Sequence, residues 1–195
     1  MSTPRRIGVL GGTFDPLHLG HLAAASEVHH ALGLDLVLLV PTHAQPLKPP
    51  PVASAADRLE MCRLAVADDP RLDVDDCDLV RGGPTYTVDT LTDLAARYPG
   101  AELTFIAGAD ALATLDQWRD VERLRTLARF VGVTRPGYAT PAMADGIPVV
   151  TVPSVAVSST EVRRRVHEGA PIRYLVAQGV VRYIERQRLY LGGCA

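Results

Sequence analysis

Apolar residues in this chain gather into short dense runs set between longer stretches of mixed character. The runs are Ile7-Gly8-Val9-Leu10, Asp35 to Val40, Glu102 to Ile106, Arg129 to Thr134 and Pro148 to Val152. Runs of this length with almost no polar interruption suit strands buried on both faces of a parallel sheet. The stretches between them suit helices. Leu22 to Leu32 closes at Gly33, a helix-ending glycine. Ser54 to Asp68 opens with Ser54 and Asp57 in a capping-box-like arrangement. A third helix runs from a threonine cap at Thr85 or Thr87 to about Tyr98. A fourth follows Ser158, with Glu161 three residues on, and ends at Gly169; a last one covers Tyr174 to Gln187. Arg71 to Arg81 alternates at first and reads as a strand with a bulge, ahead of a turn at Gly82-Gly83-Pro84. Strands alternating with helices predict an α/β fold: a central, mostly parallel sheet flanked by helices. No internal repeat or second domain is visible. One domain over 1–195 is expected, with the C-terminal helical part, about 154–195, packed on it.

Composition narrows the class. The chain has 195 residues, 47% of them hydrophobic, and a net charge of −2. That is enough apolar residue for a core, and the charge suits neither a general nucleic-acid binder nor a membrane binder. No secretory leader is read at Met1 to Arg6, and no apolar run reaches membrane-spanning length. Cys62, Cys77 and Cys194 are odd in number and lack C-x-x-C spacing, so they read as free thiols in a reducing cytoplasm.

The chemistry concentrates after the first strand, in Gly11-Gly12-Thr13-Phe14-Asp15-Pro16-Leu17-His18-Leu19-Gly20-His21. Strand, glycine turn and helix aim free backbone N–H groups and a positive helix end at one point, which suits an anion. Gly11 and Gly12 let a ligand approach the backbone closely. His18 and His21, three apart, share a helix face. Imidazoles there can donate to phosphoryl oxygens. Alone, the pair could equally be an ordinary helix pair or two metal ligands. The glycine spacing is neither a dinucleotide fingerprint nor a P-loop.

Further candidates lie at strand ends. Lys48, the only lysine, sits in a proline-rich loop after the second strand, with His43 near it; it is a ligand contact or a solvated loop residue. Gly108 and Asp110 follow the third of the strands; Asp110 can accept ribose hydroxyls or cap a helix. Trp118, the only tryptophan, lies in a polar stretch, where a large ring needs a reason. Ser158 with Glu161 forms a capping box, and the same helix start can present N–H and hydroxyl groups to phosphates. Arg163, one turn in, can clamp a phosphate bidentately.

Three of these stretches resemble one family. His18-Leu19-Gly20-His21 resembles the signature of the H-x-G-H nucleotidyltransferases. Gly82 to Leu91 resembles the G-G-x-[ST]-Y-T-x-D-T-L run of bacterial nicotinate mononucleotide adenylyltransferases, and Val157 to Arg163 the I-S-S-T-x-[IV]-R signature. The resemblance implies a Rossmann-like nucleotidyltransferase fold and transfer of AMP from ATP to nicotinate mononucleotide. It places His18, His21 and Arg163 as catalytic groups. It puts ATP against Gly11, Gly12, Thr13, Phe14, Gly108, Asp110, Arg135, Ser158, Ser159 and Thr160. Lys48, Thr85, Tyr86 and Trp118 would meet the acceptor, with Trp118 stacked on the pyridine ring and N–H groups near Thr85 favouring its carboxylate. Mg²⁺ is expected on the triphosphate, with few or no protein ligands. Phosphopantetheine or nicotinamide mononucleotide as acceptor, a metal hydrolase, and a non-catalytic nucleotide-binding module remain alternatives, and self-association stays open.

Overall fold

Six strands form one sheet in the order β3-β2-β1-β4-β5-β6, and every neighbouring pair is parallel. The computed structural model describes residues 6–46, 49–134, 146–153 and 156–192. In chain order the elements are β1 (Arg6–Gly12), α1 (Leu19–Leu32), β2 (Leu36–Pro41), α2 (Ala55–Val66), β3 (Leu72–Val74), α3 (Cys77–Arg81), α4 (Thr87–Arg97), β4 (Glu102–Gly108) and α5 (Ala109–Leu112). A 3-10 turn (Leu115–Gln117) leads to α6 (Val121–Leu127), β5 (Ala128–Thr134), β6 (Val149–Thr151), α7 (Ser159–His167) and α8 (Gln178–Gln187). The strand order reverses between β1 and β4. In an open parallel sheet that reversal leaves a crevice at the carboxyl ends of the two strands, where ligands bind.

Strand alternation divides the core into two layers. Ile7, Val9, Leu38, Val40, Leu103, Phe105 and Phe130 face one side and pack with Val88, Leu91 and Leu94 of α4 and Leu124 of α6. Leu10, Val37, Leu39, Ile106 and Val131 face the other side and pack with Ala25 and Val28 of α1 and Cys62 and Val66 of α2. Burial on both faces is why β2 reads as an almost unbroken apolar run. Gly8 fits this packing closely: a Cβ there would come within 2.8 Å of Leu34. A third cluster joins Val162 of α7 and Val180, Val181 and Ile184 of α8 to Met61 of α2, so the C-terminal helices pack against α2.

Three expectations from the sequence shift. Arg71 to Arg81 is not a bulged strand. Its strand stops at Val74, because the buried Asp75 carboxylate accepts from the Cys77 N–H (2.9 Å) and starts the short helix α3. Neither Thr85 nor Thr87 caps α4; Tyr86 holds that position, and Thr85 Oγ1 instead accepts from the His43 N–H at 3.0 Å. The last helix starts at Gln178 rather than Tyr174, since Tyr174 has a φ of 67° and cannot continue a helix. Helix α6 had no marked periodicity, being only seven residues long.

Cys62 and Cys77 are buried free thiols. Burial pushes the Cys62 thiol up to about 12 and the Cys77 thiol up as well, Asp78 and Asp75 adding to the latter. Little thiolate forms at neutral pH, and a thiol reagent cannot reach it. Iodoacetamide at pH 8 is therefore expected to leave both unlabelled in the folded chain and to label both in denaturant. Peptide mass spectrometry reads this; labelling of either in the folded state would contradict their burial.

Candidate active site

The turn after β1 is built around a buried carboxylate. Asp15 is 4% exposed. Its carboxylate accepts from Val52 N–H (2.7 Å), Ala53 N–H (3.1 Å) and the Tyr190 hydroxyl (2.7 Å). Its backbone carbonyl accepts from Arg163 Nη1 at 2.7 Å. Arg58 acts as a second brace from α2. It is 1% exposed and donates to the carbonyls of Thr13 (2.6 Å), Thr42 (2.8 Å) and His43 (3.4 Å). The turn after β1 and the loop after β2 are thus held by one guanidinium. Neither residue was singled out from sequence. A signal did exist for Arg58, which lies three and four residues before the buried Met61 and Cys62 and so on the inward stripe of α2.

The two histidines meet at the start of α1. His18 is the N-cap and His21 the third helical residue, so α1 begins three residues earlier than the sequence predicts. Their rings stack, with centroids 3.7 Å apart and planes at 18°. His21 Nδ1 accepts from the His18 backbone N–H at 3.2 Å. An accepting Nδ1 leaves the ring proton of the neutral imidazole on Nε2. Phe14 packs edge-on against His21, with centroids 5.0 Å apart, and is itself 2% exposed. The Phe14 side chain is therefore core, not a ligand-facing surface. Gly12 is required by that packing, since a Cβ would lie 2.6 Å from the Phe14 ring. Gly11 has no such internal constraint; its nearest neighbour to a Cβ is the Phe105 ring at 3.7 Å, and it faces the cavity.

A cavity of about 1110 Å³ opens at the carboxyl ends of β1, β4 and β5. Its wall brings together Gly11, His18, His21, Thr85, Tyr86, Gly108, Asp110 and Trp118 of the residues expected from sequence. Gly12 and Thr13 continue the turn behind Gly11 without lining it. Lys48 and Arg135 lie outside the described residues. Trp118 is half-buried: its ring stands edge-on to Phe105 (5.9 Å) and Phe130 (6.5 Å), so it is less exposed than a polar stretch suggested. Asp110 is exposed in the first turn of α5, behind Gly108 at the N-cap.

The other side groups sit at α7. Ser158 caps it, accepting from the Glu161 N–H at 3.1 Å. The return bond of a capping box is not made; the Glu161 carboxylate turns to Arg164 and Arg165, whose guanidiniums hold it down at about 2. Ser159 Oγ donates to the Pro16 carbonyl at 2.8 Å, and Thr160 Oγ1 accepts from Arg163 Nη2 at 3.3 Å. Both contacts with the β1 turn, from Ser159 and from Arg163, dock the α7 N-terminus beside the histidines.

The Thr85–Trp118 wall departs in part from the expectation. The Thr85 N–H donates to the Ala44 carbonyl at 2.7 Å, so it is not available to a carboxylate. Helix geometry leaves the first N–H groups of α4 without intrahelical acceptors. Arg119, not singled out from sequence, lies 4.4 Å from the Tyr86 ring centroid and 3.8 Å from Asp89. Asp78 is also on the wall. It is 1% exposed, its Oδ1 accepts from Thr90 Oγ1 (2.7 Å) and Arg81, and burial pushes its carboxyl up.

These bracing contacts give a direct test. Tyr190→Phe deletes the hydroxyl from Asp15 and is expected to cost about 1.5–3 kcal/mol, the range for a hydrogen bond to a charged group. Arg58→Met leaves the Thr13 and Thr42 carbonyls without their donor and is expected to cost at least as much. Urea unfolding monitored by circular dichroism measures both, and losses under about 0.5 kcal/mol would show that neither brace matters.

Comparison with known proteins places this geometry. The cytidylyltransferase-like family model matches residues 9–165. A "Probable nicotinate-nucleotide adenylyltransferase" of Corynebacterium kroppenstedtii is 52% identical over 95% of this chain and 91% of its own length. One of Streptomyces coelicolor with the same description is 51% identical over 94% of this chain and all of its own. Among solved structures, Plasmodium falciparum nicotinic acid mononucleotide adenylyltransferase complexed with NaAD superposes with a TM-score of 0.78. It covers 97% of this chain and 98% of that one at 18% identity, which speaks to the fold. Identity of about one half along nearly the whole chain goes further than fold, and the chain belongs to the nicotinate-nucleotide adenylyltransferases of the cytidylyltransferase-like family.

Proposed function

We propose that this chain transfers the adenylyl group of ATP to nicotinate mononucleotide, giving deamido-NAD and pyrophosphate. The observation that carries the reading is the single cavity joining the stacked histidines to the Tyr86–Trp118 wall. At about 1110 Å³ it exceeds the usual range for one small ligand, which gives room for a nucleotide and a mononucleotide end to end.

The acceptor phosphate is ionised at neutral pH and is itself the nucleophile. One of its oxygens attacks the α-phosphorus in line, and the bond from that phosphorus to the bridging oxygen breaks, so pyrophosphate leaves. No side-chain nucleophile or base is needed. The protein must align two anions and stabilise the charge that develops. His21 is assigned to the α-phosphoryl group, because its proton is held on Nε2 by the Nδ1 bond to the turn. His18 and the α1 N-terminus add donors beside it. Arg163, seated on the Asp15 carbonyl, is assigned to the β and γ phosphates; a guanidinium has five donors and keeps some for ligand.

Gly11, Gly12 and Thr13 would pass their backbone along the triphosphate. Phe14 would contribute backbone only. Gly108 and Asp110 would hold the adenosine ribose, with Ser158, Ser159 and Thr160 at the phosphate-facing helix start. Trp118 would stack on the pyridine ring beside Tyr86. Lys48 would meet the acceptor phosphate and Arg135 the adenine. ATP enters as its Mg²⁺ complex. Among the described residues no group of three or more His, Cys, Asp or Glu side chains could hold an ion. The triphosphate would supply most of the metal's ligands, and no protein side chain is assigned to it. Among the described residues, no helix is long and apolar enough to cross a membrane.

The test is pyrophosphate release from Mg²⁺-ATP with nicotinate mononucleotide, nicotinamide mononucleotide and 4′-phosphopantetheine in parallel. Release mainly with the first is expected; release mainly with phosphopantetheine would overturn the acceptor. His21→Ala is expected to fold normally and to lower turnover by roughly 10²–10³, the scale for one electrostatic donor in a transition state. Near-normal turnover in that variant would remove the role given to His21.

A further inference from the structure

We infer that the Arg119 side chain selects the acceptor by its charge, preferring an acid to the corresponding neutral amide at the pyridine end. The inference rests on the reaction proposed above and names a residue that reading had not used. Among the described residues that line the cavity, Arg119 is the only arginine or lysine. The histidines lie at the α1 end. Arg119 adjoins Trp118 in sequence and stands over Tyr86, and both aromatic side chains line the cavity.

The backbone at this wall offers partial charges only. The Thr85 N–H is committed to the Ala44 carbonyl, and the Thr85 hydroxyl, anchored by the His43 N–H it accepts, has one neutral O–H to offer. The α4 N-terminus offers a partial positive charge, which falls off within one turn. A guanidinium offers a full charge and a planar pair of donors matched to a carboxylate.

Arg119 is also held loosely enough to be recruited. Its side chain is 60% exposed, and its pairing with Asp89 is 3.8 Å long. Stacking over Tyr86 keeps the guanidinium at the wall without using its in-plane N–H groups. A carboxylate arriving at that wall gains those donors. A carboxamide, being neutral, gains only an ordinary hydrogen bond, and its NH₂ group faces a donor. Discrimination comes from both the attraction and that mismatch.

The experiment compares kcat/KM for nicotinate and nicotinamide mononucleotide in the full chain and in Arg119→Gln, Arg119→Met and Arg119→Lys. In Gln and Met the acid-over-amide ratio is expected to fall about 10-fold, through loss on the acid alone, with the KM for ATP unchanged. Lys keeps the charge and is expected to recover part of the ratio. The full chain's ratio is expected to fall with added salt, as the exposed charge is screened, and the Gln variant's to respond less. If Arg119 merely braces Tyr86, Gln and Met lower both acceptors together and leave the ratio intact, which overturns the inference. Absence of turnover with nicotinate mononucleotide in the unaltered chain would overturn the reaction itself, a separate result.

Discussion

The buried carboxylate of Asp15 ties the structure to its chemistry. A desolvated carboxylate is tolerated only where donors surround it. Here three donors come from two places: the backbone at Val52 and Ala53 ahead of α2, and the hydroxyl of Tyr190 beyond α8. The Asp15 carbonyl takes Arg163 from α7. One residue in the β1–α1 turn therefore fixes the approach to α2, the C-terminal segment and Arg163. The C-terminal helices add apolar cover on α2 through Val180, Ile184 and Met61. Their polar link to Asp15 determines where α7 stands relative to the histidines.

Arg58 supplies the complementary charge from below. It is buried, and desolvation lowers its pKa while Asp15 opposes that fall. Its bonds to Thr13 and Thr42 join the ends of β1 and β2, the two strands on one side of the crevice. Buried groups of this kind contribute less net stability than their bond count suggests, because their desolvation offsets much of the gain. Their larger effect is geometric. With the turn held from both sides, the His18 N–H stays aimed at His21 Nδ1, a contact that favours the Nε2-protonated tautomer of the neutral ring.

Local patterns in the sequence were enough to locate the sheet and the glycine turn. β2 and β4 bury both faces, so their composition alone marks them. The H-x-G-H run marks the helix start, although the placement of His18 as N-cap needed coordinates. The misread stretch, Arg71 to Arg81, failed for a local reason. The alternation was real only to Val74, and Asp75 then spent its carboxylate on the Cys77 N–H. Contacts between distant residues left no trace in any window. Asp15 meets Tyr190 across 175 positions, and Ser159 meets Pro16 across 143. Arg58 reads as a solvated helix residue until its register with Met61 and Cys62 is weighed.

The distribution of positive charge follows from the reaction. Two anions must be brought together, so cations concentrated at one point would bind both and order neither. The structure separates the tasks in space. On the proposed assignment, imidazoles and helix N-termini stand where the phosphoryl group transfers and donate hydrogen bonds to it. Full charges sit further out: Arg163 at α7 and Arg119 beside Trp118. Substrate held at its two ends by these charges would be aligned at its middle, where weaker donors need only match the transition state. Interactions that are stronger there than in the bound substrates raise turnover, whereas a full charge at the centre would mainly tighten binding. With His21 assigned to that centre, its bond from the His18 N–H complements the outlying arginines, since it would hold the central donor ready before either substrate arrives.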